Sequence, residues 1–271
     1  MKVLHVRDYV VNRLQYALNP KSIAVVGASR YETKVGYKVI EGLREWGYKG
    51  EIYPVNPRSD KVHGLKAYPT VKDIPYAVDL VFVAVPAHIV KSVLEDCVAK
   101  KVNIVVIATS AFKEIGRGQL QNDLTQYCRD NKLPLIGPNL VGMGSPYLNF
   151  NCGFIPYLPM EGPVAMISQS GANLLAALGT SQKDHFGMSF FVGLGNKADV
   201  DFCEFVSYAG IDDDTKCLAI YIEGLDSPEG FVEACQKVDK PIVTIKVGGS
   251  KIGVKAAFAH TASENEGTGD A

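Results

Sequence analysis

Short, nearly continuous apolar runs alternate with stretches of helical period along most of the chain. Residues 22–26, 51–55, 78–85, 103–108 and 133–136 read as strands, each followed by glycine, proline or a polar turn residue. Between them, apolar positions recur at helical spacing over about 37–46, 89–98 and 120–128, which predicts connecting helices. Strands without polar alternation are covered on both faces, so the pattern predicts a parallel sheet with right-handed helical crossovers.

The rhythm breaks over residues 145–162, where three prolines and two glycines occur without a period. That stretch is expected to be an interdomain linker. The alternation then resumes, with strands predicted at 163–167, 189–192, 217–222 and 241–247 and helices at 172–182, 200–209 and 228–238. The chain therefore reads as two α/β domains, residues 1–145 and 163–271, joined by a linker over 146–162. The first resembles a Rossmann-type fold, and the second has the size and order of a flavodoxin-like fold. No solenoid repeat or low-complexity tract is visible, and the polar tail over 264–271 reads as loop.

Composition narrows the function classes. Hydrophobic residues are 47% and charged residues 21% of 271, ordinary for a globular protein. A net charge of −1 gives no basic field for nucleic acid or an anionic membrane. No apolar run approaches the roughly 20 residues of a membrane helix. The first residues lack a signal-peptide core, so a cytoplasmic protein is expected. Six cysteines are scattered without CxxC spacing, which predicts reduced thiols and no metal site.

Candidate chemistry gathers where strands end. Gly27, Ser29, Lys34 and Gly36 follow the first strand, where glycine admits a phosphate to backbone N–H groups and a helix N-terminus. The spacing is not GxGxxG, which disfavours NAD. Asn56-Pro57 and Pro86 follow the next strands and line the same crevice, suited to an adenine ring or a pantetheine arm. Asn139, in Gly137-Pro-Asn139, offers an amide to an acyl or pantetheine group. Ser168, Ser170 and Gly171 open a helix of the second domain as a phosphate cradle. Each of these segments, taken singly, also reads as an ordinary βα turn or helix cap. Glu223 ends a strand in Tyr221-Ile-Glu-Gly-Leu225, and His260 stands in Ala259-His-Thr261. A carboxylate beside an imidazole selects its nucleophilic tautomer, so this pair is the candidate catalytic unit. The other histidines, at 5, 63, 88 and 185, have no motif around them.

Taken together, the segments resemble the nucleoside-diphosphate-forming acyl-CoA synthetases, the superfamily of ADP-forming acetyl-CoA synthetase and the succinyl-CoA synthetase α subunit. The resemblance rests on Val26-Gly-Ala-Ser29, Tyr53-Pro-Val-Asn-Pro57, Phe112-Lys-Glu-Ile-Gly116, Gly137-Pro-Asn139, Ile167-Ser-Gln-Ser-Gly-Ala172, Leu194-Gly-Asn-Lys-Ala-Asp-Val200 and Ala259-His-Thr261. It implies a Rossmann-like CoA-binding domain followed by a flavodoxin-like ligase-CoA domain. It also implies an acid–thiol ligase that interconverts acyl-CoA, ADP and phosphate with carboxylic acid, CoA and ATP. His260 would carry the phosphoryl group, Glu223 would stabilise it, and Ser168, Ser170 and Gly171 would hold phosphate. The implied partner is an ATP-grasp β subunit or domain that brings Mg2+ and ADP or ATP, in a hetero-oligomer or dimer. The chain departs from the family pattern at His260-Thr-Ala-Ser-Glu-Asn-Glu266 and at Leu140, where the family has His-Thr-Gly-Ser-Leu-Ala-Gly and cysteine. The stop soon after His260 leads us to expect a piece of a longer protein. The competing expectation is a non-catalytic CoA-binding regulatory module of a fused protein, such as a protein acetyltransferase.

Overall fold

The computed structural model describes residues 6–248. The first half runs α1 (Asp8–Leu18), β1 (Ser22–Val26), α2 (Val35–Glu45), β2 (Glu51–Val55), β3 (Lys61–Val62), β4 (Leu65–Lys66), β5 (Leu80–Val83), α3 (Ala87–Lys100), β6 (Ile104–Ile107), α4 (Gly118–Asp130) and β7 (Leu135–Ile136). Five of these strands form one sheet in the order β2-β1-β5-β6-β7, parallel throughout. Every residue of β1, β5 and β6 is buried, which is why their sequences carry no polar alternation. Strand order reverses at β1, so the crevice between the β1 and β5 ends is the expected ligand position of such a sheet.

The second half runs β8 (Gly142–Ser145), β9 (Phe150–Gly153), β10 (Glu161–Ser168), α5 (Gly171–Asp184), β11 (Met188–Gly193), α6 (Phe202–Ile211), β12 (Cys217–Ile222), α7 (Pro228–Gln236) and β13 (Ile242–Lys246). Its sheet has the order β13-β12-β10-β11-β8-β9. The strand order again reverses at one strand, here β10, whose C-terminal end leads into α5.

Two features differ from the sequence expectation. A buried hairpin runs from just before the expected linker into it: β8 precedes the stretch and pairs antiparallel with β11, and β9 lies within it. The second sheet is therefore mixed rather than parallel. Glycine hides these strands from pattern reading: a Cβ on Gly144 would lie 2.3 Å from the Phe150 carbonyl oxygen and 2.5 Å from the Phe191 ring. The other addition is α1, which has no side-chain N-cap. Its buried stripe of Val10, Val11, Leu14, Ala17 and Leu18 packs against α6 of the second half and β6 of the first.

All six cysteines are unpaired. Among the described residues no helix is long and apolar enough to cross a membrane, and no cluster of residues suits a metal ion.

Candidate functional site

At the β1 end, Gly27 turns the chain with φ +88 and donates its amide to the Val55 carbonyl at 3.2 Å. A Cβ there would meet the Ala84 carbonyl oxygen at 2.3 Å, and a Cβ on Gly36 would meet the Gly27 carbonyl oxygen at 2.0 Å. The first turn of α2 thus lies directly on the β1–α2 loop. Lys34 occupies the N-cap of α2 without a side-chain cap, which leaves N–H groups of the first turn for an anion. Ser29 Oγ accepts the Tyr31 amide at 3.0 Å, and Asn56 Nδ2 donates to the Ala28 carbonyl at 2.7 Å. Both side chains shape the loop from beneath.

These residues surround a cavity of about 770 Å³ at the switch point. Gly27, Ser29, Lys34, Gly36, Asn56, Pro57 and Pro86 all line it, so the structure brings together seven residues singled out in the sequence. Val55, Val71, Ile89 and Val93 add an apolar wall, and Arg58 a second cation. The sequence reading missed Arg58 and Val71, although Arg58 directly follows the Asn56-Pro57 motif.

Two further cavities continue from this one. The middle one, about 410 Å³, shares Val35, Ala84, Val85 and Pro86 with the first. The third, about 450 Å³, shares Val35, Ala108 and Ser110 with the middle one. Val35, the first residue of α2, lines all three. Thr109 Oγ1 donates to the Val85 carbonyl at 2.7 Å and ties the β5 and β6 ends along this route.

The third cavity lies between the two halves of the chain. Asn139, Ser170, Gly171 and Glu223 line it. Asn139 is therefore apart from the other residues expected at the cofactor; its Nδ2 donates to Asn196 Oδ1 at 3.3 Å. Ser170 is the N-cap of α5, and its Oγ accepts from the Asn173 amide at 3.4 Å. Gly171 sits against Val141, where a Cβ would come within 2.6 Å of a methyl group. The macrodipole of this 14-residue helix points its positive end at the cavity.

Ser168 is placed differently from Ser170 and Gly171. It is fully buried, its hydroxyl donates to the Ser170 carbonyl at 2.8 Å, and it does not line the cavity. Its hydroxyl is engaged within the turn that leads into α5. Residues without an assigned role also face the cavity, among them Gln169, Lys113 and Lys197. Gln169 is buried, and its Oε1 accepts the amides of Glu223 and Gly224, both at 3.0 Å. Glu223 is 5% exposed at the end of β12. His260 lies outside the described residues.

The residues after β11 join the two halves. The amides of Asn196, Ala198 and Val200 donate to the carbonyls of Pro138, Gly137 and Leu135. The motifs Gly137-Pro-Asn139 and Leu194–Val200, far apart in sequence, are thus two sides of one backbone seam. Asn196 Nδ2 also donates to Glu114 Oε2 at 2.8 Å and Gln121 Oε1 at 2.9 Å. Asp199 is buried, and its carboxylate accepts from Arg7 at 2.6 Å, Arg129 at 2.8 Å and the Leu135 amide at 3.2 Å. Burial and charge both act on Arg7, and the carboxylates of Glu204 and Asp199 hold its pKa above the ordinary guanidinium value.

Residues 21–145 match the CoA binding domain, and residues 161–267 match the succinyl-CoA ligase like flavodoxin domain. The chain is 39% identical over 259 residues to the acetate–CoA ligase [ADP-forming] of Methanocaldococcus jannaschii, covering 95% of this chain and 36% of that protein. It is 40% identical over 254 residues to the α subunit of acetate–CoA ligase [ADP-forming] II of Pyrococcus furiosus, covering 92% of this chain and 55% of that subunit. Among solved structures, the dinucleotide-forming acetyl-coenzyme A synthetase 1 of Ca. Korarchaeum cryptofilum, in complex with phosphate and ADP, superposes with a TM-score of 0.89. That pair is 36% identical, covering 94% of this chain and 56% of that one. The chain thus spans between about a third and just over half of the length of these relatives.

Proposed function

Because this chain belongs to the superfamily of nucleoside-diphosphate-forming acyl-CoA synthetases, we propose that it forms the CoA-binding and phosphoryl-handling part of an ADP-forming acyl-CoA synthetase. The whole enzyme interconverts acyl-CoA, ADP and phosphate with carboxylic acid, CoA and ATP. One observation carries the reading: three cavities with shared walls lead from the first-domain crevice to the N-terminus of α5. The nucleotide end of CoA sits among Gly27, Lys34, Gly36, Asn56 and Pro57. The pantetheine arm passes Val35 and Pro86 and brings the thioester to Asn139.

There the N-terminus of α5, with Ser170 and Gly171, holds phosphate against the thioester carbonyl. A phosphate oxygen attacks the carbonyl carbon, the C–S bond breaks, and CoA leaves as the thiolate. The resulting acyl phosphate passes its phosphoryl group to an imidazole nitrogen of His260 and releases the carboxylate. Glu223 orients that imidazole and compensates its charge. An ATP-grasp β subunit or domain then accepts the phosphoryl group on ADP, with Mg2+ bound on that partner. The protein works in the cytoplasm as one part of a hetero-oligomer. The alternative, a non-catalytic regulatory module, draws no support from the relatives, which are named as ligases.

Incubation of the 271-residue chain with acetyl-CoA and radiolabelled phosphate tests this. Acid-labile, base-stable label is expected on the wild type and absent from His260→Ala, with CoA affinity unchanged. Label that survives in His260→Ala overturns the mechanism.

A further inference from the structure

We propose that Lys197 is the cation that receives phosphate in the interdomain cavity, and that Asp226 occupies its ammonium until the anion arrives. The inference deepens the reading of this cavity as the phosphate seat and rests on it. Lys197 and Asp226 both line the cavity, together with Ser170 and Gly171 at the start of α5. The Lys197 side chain is only 4% exposed. An ammonium so enclosed is stable only beside anions. Among the described residues it pairs with Asp226, in direct contact, and with Asp201 at 3.7 Å.

The two carboxylates differ in how they are held. The Asp226 side chain is 64% exposed, whereas Asp201 is 15% exposed and caps α6. Asp226 regains water when it lets go, so its release costs little, while Asp201 stays. An incoming phosphate dianion replaces one exposed carboxylate and adds the N–H groups of α5.

The backbone at Lys197 points the same way. Its φ of +40 is uncommon for a residue with a Cβ. The neighbouring amides of Asn196 and Ala198 hold it through bonds of 2.8 and 2.9 Å to Pro138 and Gly137. Such backbone persists where the surroundings over-determine it, commonly at ligand sites. Here it turns the lysine from the domain seam toward the cavity.

Calorimetric titration of the 271-residue chain with inorganic phosphate, without acyl-CoA, tests the exchange. Asp226→Asn is expected to tighten phosphate about two- to fivefold, the worth of an exposed ion pair. Lys197→Met is expected to weaken it at least about tenfold, as loss of a charge-assisted contact does, and Lys197→Arg to recover part of that loss. CoA affinity is expected to stay within twofold in all three. If Lys197→Met does not fold, Asp226→Asn decides, because its side chain stands mostly in solvent. Unchanged or weaker phosphate binding by folded Asp226→Asn overturns the proposal. Tighter phosphate in Asp226→Asn without any label on wild-type His260 supports the exchange and counts against the covalent mechanism alone.

Discussion

The side-chain oxygen of Gln169 accepts the backbone amide of Glu223 at 3.0 Å, so the turn that opens α5 and the end of β12 are one unit. The next amide, Gly224, shares the same oxygen. Gln169→Leu leaves two buried N–H groups without an acceptor, at about 1–3 kcal/mol each. Urea unfolding is expected to show that loss. Gln169→Glu keeps the acceptor but sets a second carboxylate beside Glu223. It is expected to retain more stability than the leucine variant and to lose phosphate binding in the titration above.

Much of this arrangement was legible because parallel sheets place their ligands at strand ends. Gly27, Asn56 and Pro86 could be assigned to one crevice from their positions after successive strands. Ser168 could not be separated from Ser170 that way, because the two differ only in which side of a tight turn each hydroxyl takes. The seam between Gly137-Pro-Asn139 and Leu194–Val200 was also invisible, since local pattern does not report pairing between distant loops. β8 and β9 escaped because glycine and asparagine stand where strand patterns expect branched residues. α1 had a readable apolar stripe but no capping residue to mark its start.

Asp199→Ala removes the one carboxylate that joins Arg7, Arg129 and the Leu135 amide. Its side chain is 1% exposed, and breaking a buried ionic cluster from one side costs about 3–5 kcal/mol. Arg129 is 42% exposed, so Arg129→Ala is expected to cost only about 0–1 kcal/mol. Denaturant titration of the two variants checks this order. Equal losses would mean that the cluster is hydrated and contributes no more than a surface pair.

Gly36→Ala forces a methyl group onto the Gly27 carbonyl, 2.0 Å away. The helix must withdraw from the loop, at about 1–3 kcal/mol, and the proposed CoA crevice opens beside Lys34. Gly42→Ala, on the same helix, meets nothing nearer than 3.8 Å and is expected to stabilise by about 0.5–1 kcal/mol. Melting temperature and CoA affinity together check the pair: Gly36→Ala lowers both, and Gly42→Ala raises the first and leaves the second unchanged.

Asp201 gives the fold a pH dependence of definite sign. Burial pushes its carboxyl up to about 6 from the ordinary 3.8, against the opposing pull of Lys197. The folded state therefore holds this proton more tightly than the unfolded chain. The resulting stability is full below about pH 4, declines as pH rises through 6, and is absent above that. The shift corresponds to about 2–3 kcal/mol at roughly 1.4 kcal/mol per unit. Asp201→Asn keeps an acceptor for the Phe202 amide at the start of α6 but removes the titration. Unfolding free energies of wild type and variant at pH 4.5 and pH 7.5 check this. The wild type is expected to lose more stability than Asp201→Asn on going to the higher pH, and parallel profiles would show that Asp201 titrates as it does in water.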